Sequence, residues 1–449
     1  MILRFKMKGA KIHSQLNPTR TDEKEFPSVF CCSLIILLLG LCGCSDLMHP
    51  VDSTPTPTEY EFNYWLLQKT YLYENELEGL PSSGDSVQTL YRALSDPFTR
   101  YIPPSKSESA SISLETSIVQ GDVGMEYYLG QTEHPLYIYR VYPKGPAGRA
   151  GIPRHGNILS INEIELIGSN AYSTYDSVLS HSKDIRLIVS HEGDTLSFEL
   201  TKEDVYAPTV FIDTLYGTEF IKIKEFKPVT ADKQRGTYGE LKDLLDTLKD
   251  RKLPRVIDLR GNPGGHVSQC IAMADLFIKE GRISTRCWRS LQPDGSSVRK
   301  SLTVSAVSGD PGEDLPFVLL LNKGSASCAE IFAAAISESS DIPVAGSVSY
   351  GKGIGQSTWK TKDNGLAIIT NLDFLTPKGN SYHKKGIVPQ YMCDSTVPAT
   401  CAIDAIQKHF GEKLSSRRSI LNADEPQVIF RNQHSTGGAL IFGGSNEDI

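Results

Sequence analysis

Three segments carry residue types that can do chemistry. In Asn322-Lys323-Gly324-Ser325-Ala326-Ser327-Cys328-Ala329-Glu330 an apolar strand ends in a turn of small residues and runs into an Ala-rich helix. A hydroxyl at such a turn stands exposed, and the helix N–H groups point at whatever it attacks. Ser325 and Ser327 both qualify; a serine here can also merely cap the helix, and Ser325 is read that way. The second segment is Ser349-Tyr350-Gly351-Lys352-Gly353-Ile354-Gly355-Gln356. A lysine between two glycines decorates no helix face. Partial burial brings a lysine down from about 10.4 toward neutrality, as a general base requires. The third is Asp258-Leu259-Arg260-Gly261-Asn262-Pro263-Gly264-Gly265, a buried strand, a tight Gly/Pro turn and a helix start. Its glycines let backbone approach a ligand, and free N–H groups there favour negative charge. That makes half of an oxyanion hole, a phosphate cradle or a plain turn. No Ser/His/Asp pattern competes, and His266 is the one histidine beside a motif.

The elements around these segments alternate. Phe220–Ile223, Val256–Leu259, Phe317–Leu321 and Ala367–Thr370 read as strands. Tyr238–Leu248, with Leu241, Leu244, Leu245 and Leu248 on one face, Ile271–Ile278 and Ala329–Ala335 read as helices. This is a sheet covered by helices, expected over 205–408. Before it, 116–204 reads as a small β domain with strands at Leu136–Val141, Ile158–Asn162, Arg186–Val189 and Leu196–Leu200. Residues 59–115 read as a helical module without chemistry of its own, its second helix stopped by Asp96-Pro97. Residues 409–449 are a polar, Gly/Ser/Asn-rich tail with the composition of a disordered segment. The expected class is α/β (α+β), multidomain.

The 449 residues are 39% hydrophobic and carry a net charge of -7 with no basic cluster, which excludes a nucleic-acid binder. Arg4, Lys6, Lys8 and Lys11 precede the apolar run Val29–Gly43. That run suits a signal peptide over 1–43 better than a spanning helix of roughly 20 residues. Leu41-Cys42-Gly43-Cys44 resembles a bacterial lipobox, which makes Cys44 the lipidated residue and 44–58, rich in Pro and Thr, a tether; an uncleaved anchor is the alternative. Either implies export. Cleavage and lipidation leave Cys270, Cys287, Cys328, Cys393 and Cys401. An odd count argues against a full disulfide framework, although Cys393 and Cys401 are near enough to pair. No Cys/His cluster has zinc-site spacing, so no metal and no cofactor is expected.

Two resemblances rest on these residues. Gly121-Asp122-Val123-Gly124-Met125-Glu126, with the strands after it, resembles a PDZ domain, in which backbone N–H groups of such a loop hold a C-terminal carboxylate. Gly156-Asn157-Ile158 departs mildly from the family's Gly-Asp pattern. The resemblance implies a peptide site at Val123, Gly124 and Met125, against a domain used for packing alone. The three chemical segments in this order, with Asp96-Pro97-Phe98-Thr99-Arg100-Tyr101 and Gly386-Ile387-Val388-Pro389, resemble the carboxyl-terminal processing peptidases, the tail-specific proteases of family S41. That likeness implies Ser327 as nucleophile, Lys352 as base 25 positions on, and Gln356 orienting it. It further implies oxyanion donors at Gly264 and Cys328, with Glu330 and Ser349 in support. Cys328 departs from the usual Ala, and its thiol is an alternative nucleophile. The implied protein is an exported, membrane-anchored serine endopeptidase on the periplasmic side or cell surface, acting on proteins with accessible C-termini. Two alternatives remain: a non-catalytic lipoprotein that binds C-termini, and a hydrolase of the same fold acting on a small or non-protein substrate, such as a polymer-derived peptide.

Overall fold

The computed structural model describes residues 57–130, 132–292, 296–307, 316–393 and 398–415. The expected signal segment, Cys44, the tether up to 56 and the tail beyond 415 lie outside them. The described chain opens with helices α1 (Glu59–Thr70) and α2 (Val87–Arg92), strand β1 (Arg100–Ile102) and helix α3 (Pro104–Glu115). A capping box starts α1: the Glu61 N–H donates to Thr58 Oγ1 at 3.2 Å, and the Thr58 N–H to the Glu61 carboxylate at 2.7 Å. Leu66, Leu67, Leu90 and Tyr91 bury one face of this segment against Ala367 and Ile369 of the core.

Strand β2 (Ile118–Asp122) begins a second unit with its own apolar centre. It holds β3 (Met125–Leu129), β4 (Leu136–Val141), α4 (Pro146–Arg149), β5 (Asn157–Ile161), β6 (Ile164–Glu165), α5 (Ala171–His181), β7 (Asp184–His191) and β8 (Asp194–Thr201). The sheet runs β3-β4-β5-β7-β8, with β6 on β5. Strand β9 (Glu203–Tyr206) returns to pair antiparallel with β2 and closes the unit.

The rest of the chain forms the largest core. In order come β10 (Val210–Leu215), β11 (Thr218–Ile223), α6 (Gly236–Leu248), β12 (Arg255–Asp258), α7 (Val267–Asp275), β13 (Arg282–Leu291), β14 (Ser297–Ser305), β15 (Phe317–Leu321), α8 (Cys328–Ser339), β16 (Val344–Gly346), β17 (Ile354–Lys360), β18 (Leu366–Leu375), β19 (Tyr391–Met392) and α9 (Pro398–Ser415). The central sheet runs β10-β11-β12-β15-β16-β19, parallel except for β10 on β11. Every residue of β12 and β15 is buried, which is why both read as unbroken apolar runs. Alternate side chains serve opposite faces: Ile257 and Leu319 meet Leu241, Met273 and Phe332, while Val256 and Val318 meet Ala402, Ile406 and Phe410. The expected start of a polar tail at 409 therefore falls inside α9, where Phe410 is buried. A second sheet, β1-β18-β13-β14 with β17 on β18, stands beside the first.

Strands β13 and β14 are absent from the sequence-based expectation: Val298, Leu302 and Val304 share one face of β14, but Lys300 interrupts the alternation and the strand is exposed along most of its length. Cys393 pairs with Cys401, as their nearness allowed, and Cys287 remains a buried thiol, so the framework is not full; the bond between Cys270 and Cys328 was not foreseen.

Candidate active site

The three chemical segments converge at the ends of β12 and β15. The two turns leaving these parallel strands are bolted together by backbone and side-chain bonds. The Ala326 N–H donates to Asn262 O at 2.9 Å, and Asn262 Nδ2 donates to Ile223 O at 2.9 Å. The hydroxyl of Ser325, fully buried, donates to Leu259 O at 2.9 Å and accepts from the Asn322 N–H at 2.9 Å. Ser325 thus braces one turn against the other instead of capping α8, and its burial removes it as a nucleophile. Asp258 accepts both arms of Arg260, at 2.9 and 2.7 Å, and meets Lys222 at 3.4 Å. Burial works to raise the Asp258 carboxyl, but the two cations outweigh it and hold it at about 2.

Ser327 stands at the start of α8 with φ 55° and ψ -115°, a conformation that costs a non-glycine residue energy and persists only when its surroundings enforce it. Those surroundings are Glu330. Its buried carboxylate accepts four hydrogen bonds. Oε2 takes the Ser327 N–H at 2.8 Å and the Lys352 N–H at 2.7 Å; Oε1 takes the Gly351 N–H at 2.6 Å and the Ser349 hydroxyl at 2.6 Å. One oxygen therefore holds the backbones of Ser327 and Lys352 side by side. Burial pushes the Glu330 carboxyl upward, opposed by these donors. Ser349 also accepts the Ile387 N–H at 2.6 Å, tying the lysine loop to the Gly386 turn. The Tyr350 N–H donates to Ser325 O at 2.9 Å, a further link between the two loops.

The Gly264 turn faces the serine at close range. A Cβ on Gly264, whose φ is 102°, would lie 2.7 Å from Ser327 Cβ and 2.9 Å from Cys328 N. Only glycine fits that approach. The Cys328 N–H, at the first position of α8, has no acceptor among the described residues. The Gly264 N–H is instead occupied by Asn262 Oδ1 at 2.8 Å, whereas the next N–H, of Gly265, has no acceptor among the described residues. The open donor beside Ser327 is thus that of Cys328, with the open N–H of Gly265 one residue beyond the glycine that packs on the serine. The Cys328 side chain is buried and disulfide-bonded, which removes it as a nucleophile in this state.

Lys352 is half-buried, and burial brings its ammonium down to about 8; Arg100 lowers it further, while Asp96 and Glu330 act the other way. Its Nζ lies 4.3 Å from the centroid of the Phe98 ring and shares no hydrogen bond with Ser327 among the described residues. Gln356 does not bond Lys352 either; its Nε2 donates to Thr370 Oγ1 at 2.9 Å. The segment from Asp96 to Arg100, read from sequence as part of a module without chemistry, is therefore the wall against which the lysine rests. The family resemblance drew on this segment, but nothing local placed it against the lysine, since the two are far apart in sequence.

Val123, Gly124 and Met125 sit elsewhere, on the second unit. Val123 and Met125 are buried, Gly124 has φ 79°, and its N–H donates to Asp122 Oδ1 at 2.6 Å. The N–H groups of Val123 and Met125 also face that carboxylate, and burial raises it. The neighbouring Glu126 joins this unit to the core, accepting from Lys224 at 2.6 Å and Arg140 at 3.1 Å. Among the described residues, no cluster of His, Cys, Asp or Glu is placed to hold a metal, and no helix is long and apolar enough to cross a membrane.

The chain is similar to several known proteins. A CtpA-like serine protease of Staphylococcus aureus (strain COL) is 26% identical over 336 residues, covering 74% of this chain and 64% of its own length. A CtpA-like serine protease of Staphylococcus saprophyticus is 27% identical over 330 residues, covering 73% and 63%. The chain thus spans somewhat under two thirds of these relatives. A solved S41 protease structure from Bacteroides fragilis NCTC 9343 shares the fold, with a TM-score of 0.53 at 12% identity, covering 78% of this chain and 97% of the other. The family model for peptidase family S41 matches residues 218–393, which hold the Gly264 turn, Ser327, Glu330, Lys352 and Gln356. Over that segment the chain is similar to peptidase family S41.

Proposed function

We propose that the protein is an exported serine endopeptidase that hydrolyses peptide bonds through Ser327 and Lys352. The observation that carries the reading is the shared Glu330 oxygen, which holds the backbones of the serine and the lysine together beside an open helix N-terminus. Neutral Lys352 takes the Ser327 proton as the hydroxyl attacks a peptide carbonyl. The Cys328 N–H and the Gly264–Gly265 turn receive the oxyanion. Lys352 then protonates the leaving amine, and water repeats the sequence to release the acyl group. Because the lysine rests on Phe98, the dyad closes only as substrate enters, in keeping with the loose geometry of many empty active sites. Gln356, anchored on Thr370, is positioned to steady the lysine during that movement.

The second unit is proposed as a PDZ-like module that captures substrate C-termini at Val123–Met125, with Cys44 anchoring the protein to a membrane after export. The likeness to CtpA-like proteases supports the peptidase reading, and the loop Asp122–Met125 supports the capture reading. Degradation of an unfolded reporter protein by the full chain tests both. Wild type should cleave it and Ser327→Ala and Lys352→Ala should not. A reporter with an apolar C-terminus should be cleaved faster than one with a charged C-terminus. Binding of reporter tails without cleavage would favour a non-catalytic binding protein instead.

A further inference from the structure

We infer that the Asp96–Arg100 turn is a working wall of the catalytic centre, in which Phe98 sets the surroundings of Lys352 while Asp96 and Thr99, through Thr370, hold Gln356 in place. This rests on the Ser327/Lys352 reading above and adds positioning residues to it. The turn enters the site as one bonded unit. Asp96 is buried; its Oδ2 accepts the Thr99 hydroxyl at 2.6 Å and its Oδ1 the Phe98 N–H at 3.1 Å. Arg100 Nη1 donates to Phe98 O at 3.3 Å.

From this unit two lines run to the catalytic residues. The first is direct contact: the Phe98 ring lies 4.3 Å from Lys352 Nζ. The ring's hydrocarbon excludes water, which favours the neutral amine, while its face attracts the ammonium. The second line is a chain of hydrogen bonds. Thr99 Oγ1 accepts the Thr370 N–H at 2.9 Å, and Thr370 Oγ1 accepts Gln356 Nε2 at 2.9 Å. The Leu72 N–H donates to Thr370 O at 2.9 Å, so the N-terminal segment grips both main-chain groups of Thr370. The β17–β18 register shifts between Gly355 and Gln356, which breaks the ladder where this grip is made.

The charged groups facing Lys352 come from two elements. Arg100 and Asp96 belong to the turn, and Glu330 belongs to α8. His383, held against Gly351, feels Asp96 as well, and burial keeps its ring below the usual histidine range. A segment that served only as packing would leave the protonation of Lys352 unchanged when Phe98 or Arg100 is altered conservatively.

The test uses the full chain as wild type, Phe98→Leu, Arg100→Gln, Thr99→Val and Thr99→Ser. Two quantities are followed against pH: kcat/KM on a peptide substrate, and acetylation of Lys352 by acetic anhydride, scored by mass spectrometry. The second reads the lysine's protonation whether or not the enzyme turns over. Arg100→Gln removes a like charge, so Lys352 keeps its proton to higher pH and both curves move up by roughly one unit. Phe98→Leu keeps apolar volume but loses the ring face, so both curves move down by roughly half a unit. Thr99→Val lowers kcat with KM little changed, and Thr99→Ser restores it. Curves that coincide with wild type in both Phe98→Leu and Arg100→Gln, or a Thr99→Val enzyme with wild-type kcat, overturn the inference. Acetylation curves that shift as stated in a chain that cleaves no peptide leave the wall in place and refute the peptidase reading instead.

Discussion

Replacing Glu330 with glutamine changes one oxygen of a carboxylate into an amide nitrogen and keeps its shape. In the native site Oε2 serves the Ser327 and Lys352 N–H groups, and Oε1 serves Gly351 and Ser349. With the amide nitrogen at the first position, it confronts the two backbone N–H groups that align nucleophile and base. Turned over, it confronts the Gly351 N–H and the Ser349 hydroxyl. The first placement loses two charge-assisted bonds; the second loses one, since the Ser349 hydroxyl can turn to accept from the amide, and weakens the others to neutral bonds; a lost bond is worth roughly 1.5–3 kcal/mol before the loops relax. Relaxation returns part of this, leaving a net loss of about 2–4 kcal/mol. If about 2.7 kcal/mol of that appears as misalignment of Ser327 and Lys352, kcat/KM falls about a hundredfold. Peptide hydrolysis and thermal unfolding measured on the same Glu330→Gln preparation separate alignment from stability. A variant with wild-type kcat/KM, whatever its melting temperature, would refute the view that this carboxylate aligns the two catalytic residues.

Three further outcomes follow from the same geometry. Gly264→Ala should abolish peptide hydrolysis in a folded protein, because the added Cβ would sit 2.7 Å from Ser327 Cβ at a φ of 102°; circular dichroism checks the fold alongside the assay. Asp122→Ala should tighten binding of peptides with free C-termini, since it frees the Gly124 N–H that its carboxylate occupies at 2.6 Å; fluorescence anisotropy with amidated and free peptides reads this. Losing the Cys270–Cys328 bond should lower the melting temperature by roughly 5 °C, because it closes 58 residues of chain, worth about 4 kcal/mol in the chain-entropy account. Calorimetry of a Cys270→Ala/Cys328→Ala variant, which keeps the Cys393–Cys401 bond, reads this drop.

The alternating sheet and helices were legible because β12, β15 and α8 carry their instructions locally: runs of buried apolar residues, a small-residue turn, an Ala-rich helix. The three chemical segments were legible for the same reason, each being a strand-to-turn unit with its glycines in sequence. What the sequence hid is non-local. Nothing about Phe98 says that it meets a lysine at position 352, and Thr99 reaches Gln356 only through Thr370. The resemblance implied a supporting role for Glu330, but nothing in its own segment showed the four partners it holds. The β13–β14 hairpin escaped because β14 is exposed along most of its length and Lys300 interrupts the alternation of Val298, Leu302 and Val304. The disulfide between Cys270 and Cys328 was hidden likewise, since 58 residues separate two cysteines that adjacent helices bring to a Cα–Cα distance of 5.6 Å. The occupied Gly264 N–H depends on the side chain of Asn262, which a motif reading treats as part of the turn.

The central claim is that Ser327 is acylated with Lys352 as its base. The most direct measurement is intact-mass analysis of the full chain mixed with an activated peptide ester and quenched at short times, followed by peptide mapping. The account predicts an acyl adduct on the peptide containing Ser327. Its formation should rise with pH through about 8, where Lys352 loses its proton, and should be lost in Lys352→Ala. An adduct on another residue, or one that forms on Ser327 equally well without Lys352, would contradict it.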